Sequence, residues 1–203
     1  MPISFDIAHP ELERAITLAL SENILIFAAS SGRQGRSVAY PARRQDVFCV
    51  SSADPLGNPS SFNPVPRLED ENFTFPGEDV ESAWPLDLGQ GPTKSLSGTS
   101  IATSVAVGIA AMILEVSRQL PLLDPNVRRR LNSPQGMRVV FRFLSSGRDD
   151  FGYVTPWKLL DTNQSPTDLA HIFAHLMESE SQTRSFIRRL ESHRESDESV
   201  EFV

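Results

Sequence analysis

A small-residue turn, Gly98-Thr99-Ser100, opens directly into Ile101–Leu114, a run that is apolar at nearly every position. Ala102, Val105, Ala106, Val107, Ile109, Ala110, Ala111, Met112, Ile113 and Leu114 leave almost no polar side. A helix apolar all round is a buried helix, so this stretch predicts a core helix that other layers must cover. It continues to about Gln119, and Pro121 stops it. The turn puts hydroxyls at the N-terminus of that helix, where backbone N–H groups lack partners and the dipole favours negative charge. Two readings fit. Thr99 or Ser100 caps a core helix, or Ser100 is a nucleophile whose oxyanion intermediate uses the same setting. Caps far outnumber nucleophiles, so chemistry alone favours the cap.

The chain of 203 residues is long enough for one substantial core with an appendage. A net charge of −7 argues against nucleic acid as the main partner. No run of 18 apolar residues occurs, so no transmembrane helix and no membrane partner is expected. The start, Met1-Pro2-Ile3-Ser4-Phe5-Asp6, lacks the basic and apolar regions of a signal peptide. One cysteine, Cys49, cannot form an internal disulfide, which fits a reducing, cytoplasmic location. It lies among Val47, Phe48 and Val50 and reads as an inert strand residue.

Upstream of the turn, helix and strand alternate. Ile3-Ser4-Phe5 reads as a strand end at the initiator methionine, which leads us to expect a truncated version of a longer protein. Residues His9 to Glu22 predict an amphipathic helix: Pro10 suits the first turn, and Leu12, Ile16, Ala19 and Leu20 share a face. Ile24 to Ala29 and Asp46 to Ser52 are short apolar runs expected as buried parallel strands. Between them lie a loop, Ser30 to Arg36, and a Tyr40-Pro41 turn whose X-Pro bond can be cis. Shorter strands are expected near Asn72 to Phe75 and Asp79 to Ala83. The order predicts an α/β fold.

Beyond Leu120 the sequence predicts a mainly helical extension. Pro125 to Leu131 reads as a basic helix, Tyr153 to Leu160 as a docking segment, and Pro166 to about Arg189 as a helix. The expected division is 1–119, 120–190, and a polar, disordered tail at 191–203.

Taken together, these pieces resemble the subtilisin (subtilase, S8) family of serine peptidases, and its fungal intracellular-type members in particular. Gly98-Thr99-Ser100-Ile101-Ala102-Thr103 matches the family's nucleophile motif, G-T-S-x-A-[ST]. Ile26 to Gly32 looks like the strand leading to the oxyanion loop. Tyr40-Pro41-Ala42, followed by Val47 to Asp54, looks like the Tyr-Pro turn and the next core strand. Ser60-Ser61-Phe62-Asn63 resembles a Ser-Phe-Ser stretch, and Phe75-Pro76-Gly77 resembles the Ala-Pro-Gly turn. The landmarks occur in family order, and with them Ser100 reads as the nucleophile. The resemblance implies part of a subtilisin-like three-layer fold, with a mostly parallel sheet and a buried nucleophile helix. It further implies that Ser4, Phe5 and Asp6 form the strand that pairs with a substrate backbone. Ala28, Ala29 and Ser30 would wall the pocket for the side chain before the scissile bond, and the Tyr40 turn would close its base.

Much of the family's machinery is absent. The triad order is Asp, His, Ser, with D-[ST]-G and H-G-[ST] motifs upstream of the substrate strand. None of the four histidines, at 9, 171, 175 and 193, precedes a glycine. Asp161 is followed by Thr162 but then by Asn163. His9 reads as a helix-start residue, and His171 with His175 as a surface or packing pair, not a metal site. Ser31 stands where the family has its oxyanion asparagine, and Ser104 where it has a proline. No cofactor is implied, and no acidic loop supports carrying over a calcium site.

Two expectations follow. One is a serine endopeptidase by family, the C-terminal half of its catalytic domain, acting on peptide or protein substrate through Ser100 with a missing N-terminal half or another chain supplying the base. The alternative is a non-catalytic pseudo-protease or gene remnant that at most binds peptides. Either way this chain alone is expected to be inactive, with an exposed sheet edge and apolar face that make it poorly soluble or prone to associate.

Overall fold

The computed structural model describes residues 1–31, 37–67, 71–85, 91–159 and 165–178. Its elements run α1 (Pro10–Ser21), β1 (Phe27–Ala29), β2 (Phe48–Ala53), β3 (Phe73–Pro76), β4 (Val80–Ala83), β5 (Thr93–Leu96), α2 (Thr99–Gln119), α3 (Pro125–Leu131), α4 (Pro134–Leu144), β6 (Ser145–Arg148) and β7 (Phe151–Val154). A further helix, α5, spans 166–178. Ser165 opens it with a capping box, its hydroxyl accepting from Asp168 N–H at 3.2 Å and donating to the Asp168 carboxylate at 2.7 Å. The predicted 191–203 tail and the loop at 32–36 lie outside the described residues.

One five-stranded sheet, ordered β1-β2-β3-β7-β6, organises the fold. The first four strands pair in parallel and β6 pairs antiparallel with β7. The strands are apolar on both faces because both faces are covered, as parallel sheets require. Side chains alternate across the sheet. Phe27, Phe48, Val50, Phe73 and Phe75 join α2, α4 and α5 in one core. Ile26, Ala28, Val47 and Cys49 join Ile16 of α1 and Tyr40 in a second. Phe141 of α4 is the hub of the larger core. Its ring centroid lies 5.3–6.1 Å from those of Phe27, Phe48, Phe73 and Phe75.

Residues beyond Leu120 are not only helical. β6 and β7 form a hairpin whose two-residue turn, Asp149-Asp150, has positive φ at both positions, 43° and 64°. That is the turn whose twist matches a hairpin, and it delivers β7 alongside β3. The β4–β5 hairpin was likewise not expected in full; Thr93-Lys94-Ser95-Leu96 adds an exposed strand just before the serine turn.

The helix α2 departs from burial on every side. Ala102, Ala106, Ile109, Ala110 and Ile113 are buried, and the helix packs on β1, β2 and β3. The opposite face, with Ser104, Val107, Gly108, Ala111 and Met112, is exposed. By length and composition α2 could cross a membrane; here its buried face is a wall of the core.

An ion pair ties the Tyr40 turn to the entry of β2. Arg44 donates to the Asp46 carboxylate at 2.6 and 2.8 Å and also pairs with Glu13 of α1. The hydrogen bonds from Arg44 hold the Asp46 carboxyl below its ordinary value of 3.8. A depressed carboxyl stabilises the fold above that value, and the contribution is lost as pH falls through the lower folded value. Asp46→Asn should therefore flatten the loss of stability between neutral pH and the region below pH 3.8, read by urea unfolding across that range.

Candidate functional site

The chain reaches Ser100 through a sequence of main-chain bonds. β3 ends at Pro76, and Gly77 N–H donates to Ala53 O of the neighbouring strand at 3.0 Å. The chain leaves through the β4–β5 hairpin and returns to Gly98, whose N–H donates to the Gly77 carbonyl at 2.7 Å. Gly98 has φ 152°, open only to a residue without Cβ strain. Its carbonyl then accepts from Ile101 N–H at 3.0 Å and Ala102 N–H at 3.1 Å, starting α2. Ser97 fixes the approach, its hydroxyl accepting from Asp79 N–H at 2.9 Å.

Ser100 is the second residue of α2 and half-buried. The N-cap residue is Gly98, which has no side chain, and Thr99 and Ser100 lie inside the helix, so neither of them is its cap. The N–H groups of Thr99 and Ser100 have no carbonyl within the helix to pair with, and they are suited to hold developing negative charge. Thr103 and Ser104 hydroxyls bond back to the carbonyls of Thr99 and Ser100, at 2.7 and 3.4 Å. The Ser100 hydroxyl itself donates to the Pro2 carbonyl at 2.9 Å. A carbonyl accepts a hydrogen bond but is far too weak a base to take the proton. This contact orients the hydroxyl without activating it.

The other sequence-expected residues lie around this point in different states. Phe5 pairs with Tyr40 by two main-chain bonds, at 2.8 and 2.9 Å. Ser4, Phe5 and Asp6 are all exposed. Ala28, Ala29 and Ser30 are buried. Ser30 is already satisfied on both sides, its N–H donating to Val50 O and its carbonyl accepting from Ala39 N–H, each at 2.9 Å. Met1 lies along the outer edge of β1, its carbonyl accepting from Ala29 N–H at 3.3 Å. Burial, and then the Glu13 carboxylate, push the Tyr40 phenol above its ordinary value of 10.0.

Ser31 is buried and follows β1 with φ 140°, a conformation that L side chains rarely adopt. Such strain costs about 1–3 kcal/mol and concentrates at functional sites. Glycine would shed that strain but add about 0.5–1 kcal/mol of chain entropy to lose. Ser31→Gly is expected to raise the urea midpoint by a net gain of about 1 kcal/mol.

The histidines do not supply a base by sequence position. His9 is the N-cap residue of α1, without a side-chain capping bond. His171 and His175 are exposed on α5. Among the described residues no three His, Cys, Asp or Glu side chains stand close enough to hold a metal.

Comparison with known proteins bears on the family and the fold. A family model described as Peptidase_S8, the subtilase family, matches residues 6–133. M-protease of Shouchella clausii (strain KSM-K16) is 36% identical over 103 residues, covering 50% of this chain and 25% of that protein. Subtilisin Savinase of Lederbergia lenta is 36% identical over 103 residues, covering 50% of this chain and 36% of that protein. The solved structure of the prenylagaramide maturation protease PagA superposes with a TM-score of 0.58 at 25% identity, covering 83% of this chain and 54% of that one. The S218A mutant of the protease domain of PatA superposes at 0.59 with 27% identity, covering 80% of this chain and 57% of that one. The chain therefore spans a quarter to about a third of the curated relatives' length and somewhat over half of the solved chains.

Proposed function

Because this chain belongs to the subtilase family, we propose that it carries the nucleophile of a serine endopeptidase, with Ser100 as that residue and the general base supplied from outside these 203 residues. The observation that carries the reading is the Ser100 turn: a serine at the head of a core helix, hung from Gly77, whose first-turn N–H groups have no carbonyl within the helix to pair with. Once a base is present, Ser100 Oγ would bond to the substrate carbonyl carbon as its proton passes to the base. The peptide C–N bond then breaks, the amine leaves with that proton, and water hydrolyses the ester to restore the serine.

Without a base the chain is silent in this reading, because among the described residues the Ser100 hydroxyl donates to the Pro2 carbonyl, which cannot take its proton. The source of the base is a further segment of a subtilase domain, in line with placing this chain in the C-terminal half of one. An incomplete fold is supported by the bare side of α2. Val107 and Met112 are 44% and 43% exposed there. Beside them lies an apolar groove of about 300 Å³, lined by Leu12, Ala15, Ala19, Leu25, Phe27 and Val107. Exposed apolar patches that continue into a groove mark surfaces meant to be covered. Ser4, Phe5 and Asp6 pair with the substrate backbone, and Ala28, Ala29, Ser30 and the Tyr40 turn shape the first pocket. A fungal intracellular type and a cytoplasmic location remain part of this proposal; the single, buried, unbridged Cys49 suits a reducing compartment.

Mixing the chain with a separately produced subtilase segment bearing the D-[ST]-G and H-G-[ST] motifs tests the proposal. The expected result is a complex on native mass spectrometry and hydrolysis of a fluorogenic peptide that neither partner performs alone. A complex that forms yet hydrolyses nothing, or equal hydrolysis by the chain alone, would count against it.

A further inference from the structure

Behind the serine turn lies a buried polar cluster that the proposed chemistry does not use. The Asn63 carboxamide pairs with both main-chain groups of Ser52: its Oδ1 accepts from Ser52 N–H at 2.9 Å, and its Nδ2 donates to Ser52 O at 2.7 Å. Ser60 adds a second clamp, its hydroxyl donating to Ser52 Oγ at 2.9 Å and its N–H to Ser52 O at 3.0 Å. Ser52, Ser60 and Asn63 are all buried. In effect Asn63 and Ser60 replace the strand that β2 lacks at this end.

What they clamp bears directly on Gly77. A Cβ placed on Gly77 would meet Ser52 Oγ at 2.4 Å, Ala102 Cβ at 2.8 Å and the Gly98 carbonyl at 3.0 Å. Gly77 is thus wedged between the clamped Ser52 side chain and the first turn of α2. Its carbonyl is the acceptor that holds Gly98 N–H. We propose that Asn63 is a positioning residue for Ser100, fixing Ser52 against Gly77 and through Gly77 the turn from which Ser100 projects. The proposal rests on reading Ser100 as the nucleophile, but its geometry reaches only as far as Gly98 and is testable without catalysis.

The clamp differs from ordinary core packing in where its loss is felt. Removing the carboxamide takes away the acceptor of the buried Ser52 N–H and leaves Ser52 C=O with the Ser60 N–H alone, a local defect beside Gly77. In a structural role alone, its loss would loosen all amides in proportion. In a positioning role, it loosens Gly98 first. Amide hydrogen exchange of the full chain, read at Gly98 and at Val140 within α4, separates the two. For Asn63→Ala, Gly98 exchange is expected to rise about tenfold more than Val140 exchange. Ser60→Ala removes one clamp bond and leaves the Ser60 N–H contact in place. It should give the same bias at a few-fold level, and it decides the matter if Asn63→Ala does not fold. Asn63→Asp keeps the acceptor but faces the Ser52 carbonyl with a carboxylate oxygen in place of the donor, and should show the same bias as Asn63→Ala. Equal increases at Gly98 and Val140 in Ser60→Ala and in any folded Asn63 variant would overturn the proposal. A Ser100 that proves catalytically silent in every assembly would leave it standing.

Discussion

Phe141→Ala will cost the fold about 3–5 kcal/mol, the range for deleting a fully buried aromatic side chain. The ring is 0% exposed and touches the rings of four strand phenylalanines drawn from β1, β2 and β3. Three of the four contacts are edge-on, at interplanar angles of 70–75°, the arrangement in which a ring edge meets a ring face. Truncation opens a cavity that rigid strands cannot close, so the cavity term adds to the lost transfer energy. Domains are stable by only about 5–15 kcal/mol, and the loss is a large part of that. Equilibrium urea unfolding of the two proteins checks it. A change under 1 kcal/mol would mean that α4 is not seated on the sheet as described.

Phe141 also illustrates what was legible in the sequence. The apolar runs of β1 and β2, the helix α1 and the serine turn all follow from periodicity and turn chemistry, and each appears in the structure. Asn23, in left-handed conformation with φ 57°, ends α1 and turns the chain toward β1. The role of residues beyond Leu120 in the same sheet was hidden. Ser145-Ser146-Gly147-Arg148 has no strand alternation, and Asp149-Asp150 is not the Asn-Gly or Asp-Gly pair by which such a turn is usually read. The bare face of α2 was hidden for another reason. Composition says that an apolar helix should be covered, and only the packing shows which side is. Asn63 gave no local signal, because its partners, the main-chain groups of Ser52, are unmarked by side-chain type.

The largest gain of function is expected at Ser31. On the proposal that Ser31 takes the family's oxyanion position, an asparagine there would offer N–H groups to the developing oxyanion that the shorter serine hydroxyl does not. Removing such a donor from a subtilisin, a measurement on a relative and not on this chain, slows the chemistry about 10²–10³-fold. In an assembly that has regained its base, Ser31→Asn should raise kcat by about 10²-fold with little change in KM, because the bond forms chiefly in the transition state. Ser100→Ala in the same assembly should remove at least about 10³-fold. A gain confined to KM would place residue 31 against the ground-state substrate instead.

The central claim is that Ser100 has the position of a nucleophile and, in this chain alone, no base. Fluorophosphonate labelling of the isolated 203-residue chain tests it most directly, since the reagent bonds only to an activated serine hydroxyl. The account predicts that mass spectrometry finds no adduct on the peptide containing Ser100 and no difference from a Ser100→Ala control. A stoichiometric adduct on Ser100 in the isolated chain would contradict it, and would require a base among residues already present.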